Sequence, residues 1–432
     1  MRKWICICLM GSVAFLNACS LPHSIQQAAK QQMLSQPELQ PAHLGIAVMD
    51  AASGNYLYQY QSDKYFIPAS NTKLYTCFAA MKYLGDSLIA LRYVDKGGGV
   101  IELEGNGDPT FLHPGFPNQP AYRFLQQQSR IVLTSQNWKE PALGAGWAWD
   151  DYKSDYMPER SALPIYGNLA RFQIRNNRLQ TIPAAFRPVN TLQPNQPFTI
   201  SRNWGSDSFY VSPAPKMMNA TSIPFHLSTP AKLAQILADT LHTVVESAQF
   251  TLERWPDVVA IKSQPTDSVL SMMMHESDNF FAEQLLLMVG NDRFAMMNTR
   301  KIIDSLLATD LSILPQKPKW MDGSGLSRYN LFTPQDMVTL LQLMRSSFDW
   351  KRITAILPTG NEGTLSGLYT NYAGKIYAKT GTLGNQVALS GYLLTQKGKT
   401  LIFSIMVNAH QSAPQEIRKK IEGFLTKLID SN

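Results

Sequence analysis

Three short motifs stand in one order along this chain, and together they constrain its fold more than any other feature. They are Ser70-Asn-Thr-Lys73, Ser277-Asp-Asn279 and Lys379-Thr380-Gly381-Thr382. No other lysine has a serine three places before it, and no other Lys-[Ser/Thr]-Gly occurs. The middle tripeptide is less specific, because other serines also begin a Ser-x-Asn: Ser53, Ser135 and Ser201. Its order between the other two motifs therefore selects Ser277.

The first motif predicts a serine that is activated by a lysine. Ser70 and Lys73 lie one helical turn apart on one face of a predicted helix that ends near Gly85. In the first turn, Ser70 would meet free backbone N–H groups that favour a developing anion. Lys73 acts as a base only if burial or a second cation lowers its pKa, and Lys379 is the candidate for that cation. This pattern is typical of an activated nucleophile.

With these motifs the chain resembles the penicillin-binding serine D-alanyl-D-alanine carboxypeptidases. More narrowly, it is similar to the carboxypeptidase/endopeptidase group (low-molecular-mass class C, peptidase S13 type) that carries a large insertion between the first two motifs. The resemblance covers most of the chain. Outside the motifs it rests on LEGNGDPTF (Leu103 to Phe111), GWAWDDY (Gly146 to Tyr152), MDGSGLSRYN (Met321 to Asn330) and LPTGNEGTLSG (Leu357 to Gly367).

The resemblance implies a role for each motif residue. Ser70 would be the nucleophile, Lys73 its general base, and Ser277 the hydroxyl that relays a proton to the leaving amine. Asn279 would bind the substrate peptide and steady Lys73. The terminal carboxylate of the substrate would meet Lys379, Thr380 and Thr382, and Gly381 would let the substrate approach the strand closely. The oxyanion hole would consist of the backbone N–H groups of Ser70 and Thr382. Asp278 is assigned no role, because an exposed turn acid is the simpler interpretation.

The resemblance also implies an α+β fold, in which an antiparallel sheet is flanked by helices and joined by a helical subdomain and a β-rich inserted module. The pattern of the residues agrees with this. LGIAVMDAASGNYLYQYQ and QVALSGYLLTQKGKTLIFSIMVN each predict a hairpin, and the last helix carries one apolar face. First and last segments are therefore expected in one sheet. We place the peptidase domain at residues 43–95 and 259–432, and the insertion at 96–258.

The first residues predict export. Residues 1–18 have a basic start and a short apolar stretch, as in a signal peptide, and end before Cys19 as a lipobox does. Residues 19–42, rich in Gln and Pro, are interpreted as a lipidated tether. The expected location is the periplasm, anchored to a membrane by lipid on Cys19, with the outer membrane favoured because no aspartate follows the cysteine. An ordinary signal cleavage nearby remains the alternative.

Other classes of function are disfavoured by what the sequence lacks. The seven histidines form no HExxH or paired ligand spacing, so no metal or other cofactor is expected. No G-x-S-x-G elbow is present, and no nucleic-acid motif accompanies the net charge of +7. The expected partners are peptidoglycan stem peptides, β-lactams as covalent inhibitors and the membrane. Two alternatives to the peptidase stay open: a β-lactam-hydrolysing enzyme of the same fold, and a non-catalytic wall-binding lipoprotein.

Overall fold

The computed structural model describes residues 20–175, 178–190, 199–212, 220–227, 229–252 and 257–431 of the chain. Within these ranges the chain forms sixteen strands and ten α-helices. The strands are β1 His43–Asp50, β2 Tyr56–Tyr60, β3 Ser87–Gly97, β4 Val100–Gly105, β5 Arg130–Thr134, β6 Leu169–Arg175, β7 Arg178–Ile182, β8 Val189–Asn190, β9 Thr199–Arg202, β10 Phe209–Ser212, β11 Thr221–Pro224, β12 Val244–Ser247, β13 Val259–Pro265, β14 Ile376–Leu383, β15 Gln386–Leu394 and β16 Thr400–Asn408. The helices are α1 Ser20–Ala29, α2 Lys73–Tyr83, α3 Pro120–Leu125, α4 Pro230–Leu241, α5 Thr266–Glu276, α6 Asn279–Phe294, α7 Thr299–Ala308, α8 Pro334–Ser347, α9 Trp350–Ile356 and α10 Pro414–Ser431.

The main sheet joins the two ends of the chain, as predicted. Its order is β14-β15-β16-β1-β2, and all four neighbouring pairs are antiparallel. Both predicted hairpins are confirmed, since β1 pairs with β2 and β15 with β16. Strand β1 also lies along β16 from His43 opposite Asn408 to Asp50 opposite Leu401. This pairing brings the third motif, on β14, into the same sheet as the chain segment that leads to the first motif.

Helices cover both faces of this sheet. Residues of α2 and α5 to α9 share one core cluster with β1, β15 and β16, whereas α1 and α10 pack on the opposite face. The predicted apolar face of α10 is confirmed, because each of its members is at most 1% exposed: Ile417, Ile421, Phe424, Leu425 and Leu428. Burial of such a side chain contributes about 1.5–3 kcal/mol. Helix α8 begins with a capping box that Thr333 and Asp336 form.

The segment expected as a tether is different in the structure. Residues 20–42 begin with α1 and continue through a π-helical turn at Lys30–Leu34, and they pack on α10. Ile25, Ala29 and Met33 are fully buried, because they form an apolar stripe that the Gln-rich composition of the segment concealed. Residues 1–18 and Cys19 lie outside the described residues, so the expected signal peptide and lipidation site have no structural counterpart to report.

The inserted module is β-rich, as expected. Its largest sheet has the order β12-β5-β4-β3-β13, in which β3 and β13 pair antiparallel. Most of β3 and all of β13 lie among the residues assigned to the peptidase domain, so this sheet extends across the predicted limits of 96–258. Two three-stranded sheets complete the module, β11-β6-β7 and β8-β10-β9, together with α3 and α4. None of the helices in the described ranges combines the length and apolar character needed to cross a membrane.

Candidate active site

Ser70 lies in a tight turn that precedes α2 rather than in its first α-helical turn. Residues Ala69–Thr72 form a 3₁₀ helix, and Ala69 has a φ of 49°, in the left-handed region. The side-chain amide of Asn71 donates to the backbone oxygen of Lys379 on β14, over 2.8 Å. The tighter turn is therefore fixed to the strand that carries the third motif. Helix α2 ends at Tyr83, and Gly85 with φ +65° confirms the predicted stop.

Lys73 is completely buried and reaches the nucleophile. Its Nζ donates to Ser70 Oγ over 2.9 Å, to Asn279 Oδ1 over 2.6 Å and to the backbone oxygen of Ser324 over 2.8 Å. Burial lowers the pKa of Lys73 to about 8, even though three acidic groups nearby favour the charged form: Asp278, Asp322 and Glu283. Desolvation, one of the two causes that the sequence analysis left open, is thus the main cause of the lowered pKa of Lys73.

The second motif forms the junction of two helices. Ser277 ends α5 with φ 58°, and Asp278 begins α6 by accepting a hydrogen bond from the backbone N–H of Phe281 over 2.9 Å. Asp278 is therefore a helix cap rather than the exposed turn acid that we expected. The sharp turn presents Ser277 Oγ to Lys379 Nζ, which donates to it over 2.9 Å. Asn279, two residues on, donates its amide to the backbone oxygen of Tyr156 over 3.0 Å.

Strand β14 is the free edge of the main sheet, and its backbone faces the site. The backbone N–H of Ala378 donates to Pro358 outside the sheet. Because backbone groups alternate direction along an antiparallel strand, the N–H groups of Thr380 and Thr382 also point away from β15. Thr382 and Ser70 line the same cleft. The strand edge therefore supplies an N–H donor of the kind that the sequence assigned to the oxyanion hole.

The side chains of the third motif divide between the two faces of β14. Lys379 is fully buried on the side of Ser277, and burial lowers its pKa well below the ordinary value, with Lys73 and Arg418 lowering it further. Thr380 and Thr382, two residues apart, share the other face. There the guanidinium of Arg418, on α10, donates to Thr382 Oγ1 over 2.6 Å and lies beside Thr380 in a small cavity. Arg418 stands in the run Arg418-Lys419-Lys420, and no feature of the sequence indicates that it lies beside the third motif.

Gly381 has a structural role in addition to the predicted approach of the substrate, which stays a prediction. A Cβ at this position would lie 2.6 Å from the backbone oxygen of Pro68 and 3.2 Å from Cβ of Ala69. The close neighbour of Gly381 is thus the turn that carries Ser70. A side chain there would push the nucleophile away from β14, so the glycine fixes the distance between the first and third motifs.

The Asp322-Gly-Ser324-Gly325 loop supports Lys73, because the backbone oxygen of Ser324 accepts a hydrogen bond from Lys73 Nζ. The carboxylate of Asp322, 1% exposed, accepts hydrogen bonds from four donors: the indole of Trp147, the backbone N–H groups of Gly325 and Ser327, and the amide of Asn330. These bonds hold the Ser324 carbonyl against Lys73 Nζ. A buried carboxylate with this many donors is well satisfied and rigid.

An ion pair between Glu283 on α6 and Arg160 of the insertion connects the insertion to the loop that contacts Lys73. Glu283 accepts from the backbone N–H of Ser324 over 2.7 Å and pairs with Arg160 at 3.2 Å, and both side chains are nearly inaccessible. Burial raises the pKa of Glu283 to about 7, and Asp322 raises it further. Sequence reasoning missed this pair. A glutamate four positions after Asn279 on the same helix was the one available signal.

These elements enclose a cleft of about 380 Å³. Ser70, Asn279 and Thr382 line it, as do residues that the motifs did not identify: Ala148, Asp151 and Tyr156 of the insertion, Gly325, Leu326 and Arg328 at the end of the supporting loop and just after it, and Leu383 and Gly384 at the end of β14. Across the described ranges no three His, Cys, Asp or Glu side chains are grouped so that they could hold a metal ion. The arrangement can activate a serine, stabilise an oxyanion and bind an anionic group in one place.

Comparison with known proteins gives consistent matches along the chain. The model of the D-Ala-D-Ala carboxypeptidase 3 (S13) family matches residues 26–428. The D-alanyl-D-alanine carboxypeptidase of Actinomadura sp. (strain R39) is 26% identical, over 90% of this chain and 82% of that protein. The crystal structure of penicillin binding protein 4 (dacB) from Haemophilus influenzae superposes with a TM-score of 0.71 at 20% identity, covering 94% of this chain and 98% of that one. A second structure of that protein, complexed with a β-lactam, gives a TM-score of 0.67 at 18% identity, over 94% and 99% of the chains. The similarity of structure confirms the predicted α+β architecture.

Proposed function

Because the chain belongs to the D-Ala-D-Ala carboxypeptidase 3 (S13) family, we propose that it is a serine-type D,D-carboxypeptidase that hydrolyses D-Ala-D-Ala stem peptides of peptidoglycan through an acyl-enzyme on Ser70. The observation that carries the proposal is the double serine–lysine pairing. Lys73 Nζ lies 2.9 Å from Ser70 Oγ, and Lys379 Nζ lies 2.9 Å from Ser277 Oγ. One pair is suited to activating the nucleophile and the other to protonating the leaving group.

In the acylation step, neutral Lys73 takes the proton of Ser70 as Oγ attacks the carbonyl carbon of the penultimate D-Ala. The carbonyl oxygen becomes an oxyanion, which accepts hydrogen bonds from the backbone N–H groups of Ser70 and Thr382. As the peptide bond breaks, Ser277 gives its proton to the departing amine of the terminal D-Ala and regains one from Lys379. Asn279 holds Lys73 and is placed to bind the substrate backbone.

Deacylation then requires water to attack the ester on Ser70. Lys73 returns to Ser70 Oγ the proton that it took during acylation, and the proton of the water passes through Ser277 to Lys379, which lost its own. Glu283 is the buried glutamate next to Lys73, but its carboxylate binds Ser324 and Arg160 and does not line the cleft. It is therefore poorly placed to activate a water on the acyl-enzyme. This placement favours a peptidase over the β-lactam-hydrolysing alternative.

The free carboxylate of the substrate is the group that the cations at β14 would bind. Thr380 and Thr382 offer hydroxyl groups on one face of the strand, Arg418 adds a guanidinium to that face, and Lys379 lies on the other face. An arriving carboxylate would raise the pKa of Lys379 again and so restore its charge. Arg418 thus extends the predicted carboxylate-binding set of Lys379, Thr380 and Thr382.

The balance between removal of terminal D-Ala and cleavage of cross-links is tested by digestion of purified cell-wall sacculi with soluble protein that lacks residues 1–19. We expect release of free D-Ala, detected by mass, and no release in Ser70→Ala. Cross-linked dimers that become monomers would add an endopeptidase activity. Sacculi left unchanged by the wild-type protein, together with intact pentapeptides in solution, would contradict the proposal.

Amidation of the terminal D-Ala is expected to cripple turnover by the wild-type protein. It removes charge-assisted hydrogen bonds that are worth about 1.5–3 kcal/mol each, or roughly 10- to 100-fold in kcat/KM. Lys379→Ala and Arg418→Ala have already lost one of these contacts, so we expect each to discriminate less between the acid and the amide. Arg300→Ala removes an exposed arginine on α7 and serves as the control. Equal discrimination in all four proteins would place the carboxylate elsewhere.

For location, we propose export to the periplasm and attachment to a membrane, with the outer membrane favoured, through lipid on Cys19. The support is the sequence Leu16-Asn17-Ala18-Cys19 after an apolar stretch. Because α1 begins at Ser20 and packs on the catalytic domain, a lipid on Cys19 would hold that domain directly at the membrane surface. Cys19→Ser is expected to move the protein to the soluble periplasmic fraction with penicillin binding retained. Sedimentation of that variant with membranes after a high-salt wash would rule the anchor out.

A further inference from the structure

Two tryptophans of the insertion stand largely in solvent beside the cleft. Trp149 is 74% exposed and Trp204 is 56% exposed, and Tyr156, which lines the cleft, is 45% exposed. Exposed large apolar side chains that cluster next to a binding site commonly mark an interaction surface. The mechanism above uses neither tryptophan.

The rings form a row that leads away from the cleft. Trp149 begins a 3₁₀ helix, Trp149–Lys153, and it lies between two lining residues of the cleft, Ala148 and Asp151. Tyr152 follows three residues later, and side chains three apart share one face of a 3₁₀ helix. The ring of Trp204 meets Tyr152 edge-on, with 5.0 Å between centroids. We call Trp149, Tyr152 and Trp204 the aromatic row.

Hydrogen bonds with Arg202 hold Tyr152, the middle residue of the aromatic row, in place. The Tyr152 hydroxyl donates to the backbone oxygen of Arg202 over 3.1 Å, and the Arg202 guanidinium donates to the backbone oxygen of Tyr152 over 3.2 Å. Arg202 is 2% exposed and lies under the Tyr152 ring at 5.6 Å. These reciprocal bonds tie the 3₁₀ helix to β9, so the row is preorganised rather than assembled on binding.

We propose that the aromatic row binds the glycan strand of peptidoglycan, that is, a polymer of N-acetylated hexosamines. Sugar rings present apolar C–H faces that stack on the faces of exposed aromatic rings, and Trp offers the largest such face. Asp150 and Asp151 outnumber the one cation of the same 3₁₀ helix, Lys153, whose Nζ lies 5.3 Å from the centroid of the Tyr152 ring. Polyanions such as nucleic acid or anionic lipid are therefore disfavoured there. A stem peptide in the cleft brings its attached sugars to the neighbouring surface, which is where the row begins. The inference rests on the proposed function in that it extends the substrate from the peptide to the strand that carries it.

The test uses peptide-free glycan strands, prepared from sacculi by an amidase that removes the stem peptides. Soluble protein is sedimented with these strands, and the apparent Kd is measured for the wild type and variants. We expect Trp149→Ala/Trp204→Ala to weaken binding at least tenfold, and Trp204→Phe, which keeps a stacking face, to stay within about threefold. Tyr65→Ala removes a comparably exposed ring (43%) outside the row and should bind as the wild type does.

A second measurement compares turnover of whole sacculi with turnover of a small D-Ala-D-Ala peptide. In the double tryptophan variant the rate on sacculi should fall at least fivefold more than the rate on the peptide. The two measurements together distinguish failure of this inference from failure of the proposed function. Tryptophan-dependent binding of peptide-free strands without D-Ala release would overturn only the proposed function. D-Ala release with equal binding of the strands by wild type and double variant would overturn only the inference.

Discussion

Replacement of Ser70 by alanine is expected to abolish covalent labelling by penicillin. A β-lactam presents a strained amide and a carboxylate, which are the two groups that the Ser70 side and the β14 side of the cleft are arranged to receive. Loss of the nucleophile removes the reaction itself, an effect on the order of 10⁶-fold in catalytic serine enzymes. Intact-mass measurement after incubation should show one adduct in the wild type and none in Ser70→Ala.

Ser53 supplies a matched control for this experiment, because it is an exposed serine that also begins a Ser-x-Asn. Ser53→Ala should be labelled as fast as the wild type. An adduct that persists in Ser70→Ala would remove Ser70 from the role of nucleophile. The lifetime of the wild-type adduct carries separate information: a stable adduct is expected of a peptidase, whereas rapid release of hydrolysed penicillin would favour the β-lactam-hydrolysing alternative.

Replacement of Lys73 by alanine is expected to slow acylation by about 10²–10⁴-fold, the usual contribution of a general base. The wild-type rate should also depend on pH in a defined direction. Since burial lowers the pKa of Lys73 to about 8, the fraction of neutral lysine rises about tenfold per pH unit below that value and levels off above it. The acylation rate is therefore expected to rise toward pH 8 and then flatten, and this rise should be absent in the variant.

Lys73→Met, which keeps the length of the buried side chain, separates loss of the base from a collapse of the site. It should acylate as slowly as Lys73→Ala while its circular dichroism and melting temperature stay nearer those of the wild type. Lys64→Ala, at an exposed position, is the control for removal of a lysine in general. Near-normal acylation of both Lys73 variants at neutral pH would show that another group takes the proton of Ser70.

The parts of the site that follow from local spacing were predictable. Ser70 and Lys73 are one turn apart at any helix start, and two apolar runs joined at Lys397-Gly398 identify β15 and β16 as the strands of a hairpin. Contacts that depend on packing between distant segments were not. Arg418 meets Thr382 only because α10 crosses the back of the sheet at that point, and Gly381 faces Pro68 only because the Ser70 turn docks on β14.

The composition of a segment did not predict its structure where a few buried residues determine how the segment packs. The Gln-rich segment before β1 indicated a tether, yet Ile25, Ala29 and Met33 suffice to seat it on α10. The predicted limits of the insertion, 96–258, divide a sheet, because β3 and β13 pair with each other across the sequence between them. A change of composition along the sequence does not reveal such a pairing. Asp278 was interpreted as an exposed turn acid because the sequence analysis did not recognise that α6 begins directly after it, at Asn279.

The pairing of β1 with β16 has a consequence for how the chain matures. Asn408, at the end of β16, bonds through its side chain to the backbone of Ile67 over a separation of 341 residues, just before the Ser70 turn. Closing so long a loop carries an entropic cost that only the complete sheet offsets, and contacts of such range form late in folding. During synthesis from the first residue onward, β1 therefore stays without its partner β16 until the final strands have emerged. A chain truncated before residue 376 would keep the 3₁₀ turn of Ser70 and the adjoining Lys73 but would lack β14, the strand to which that turn is bound. Such an incomplete chain would hold a serine and a lysine without the strand edge that completes their cleft.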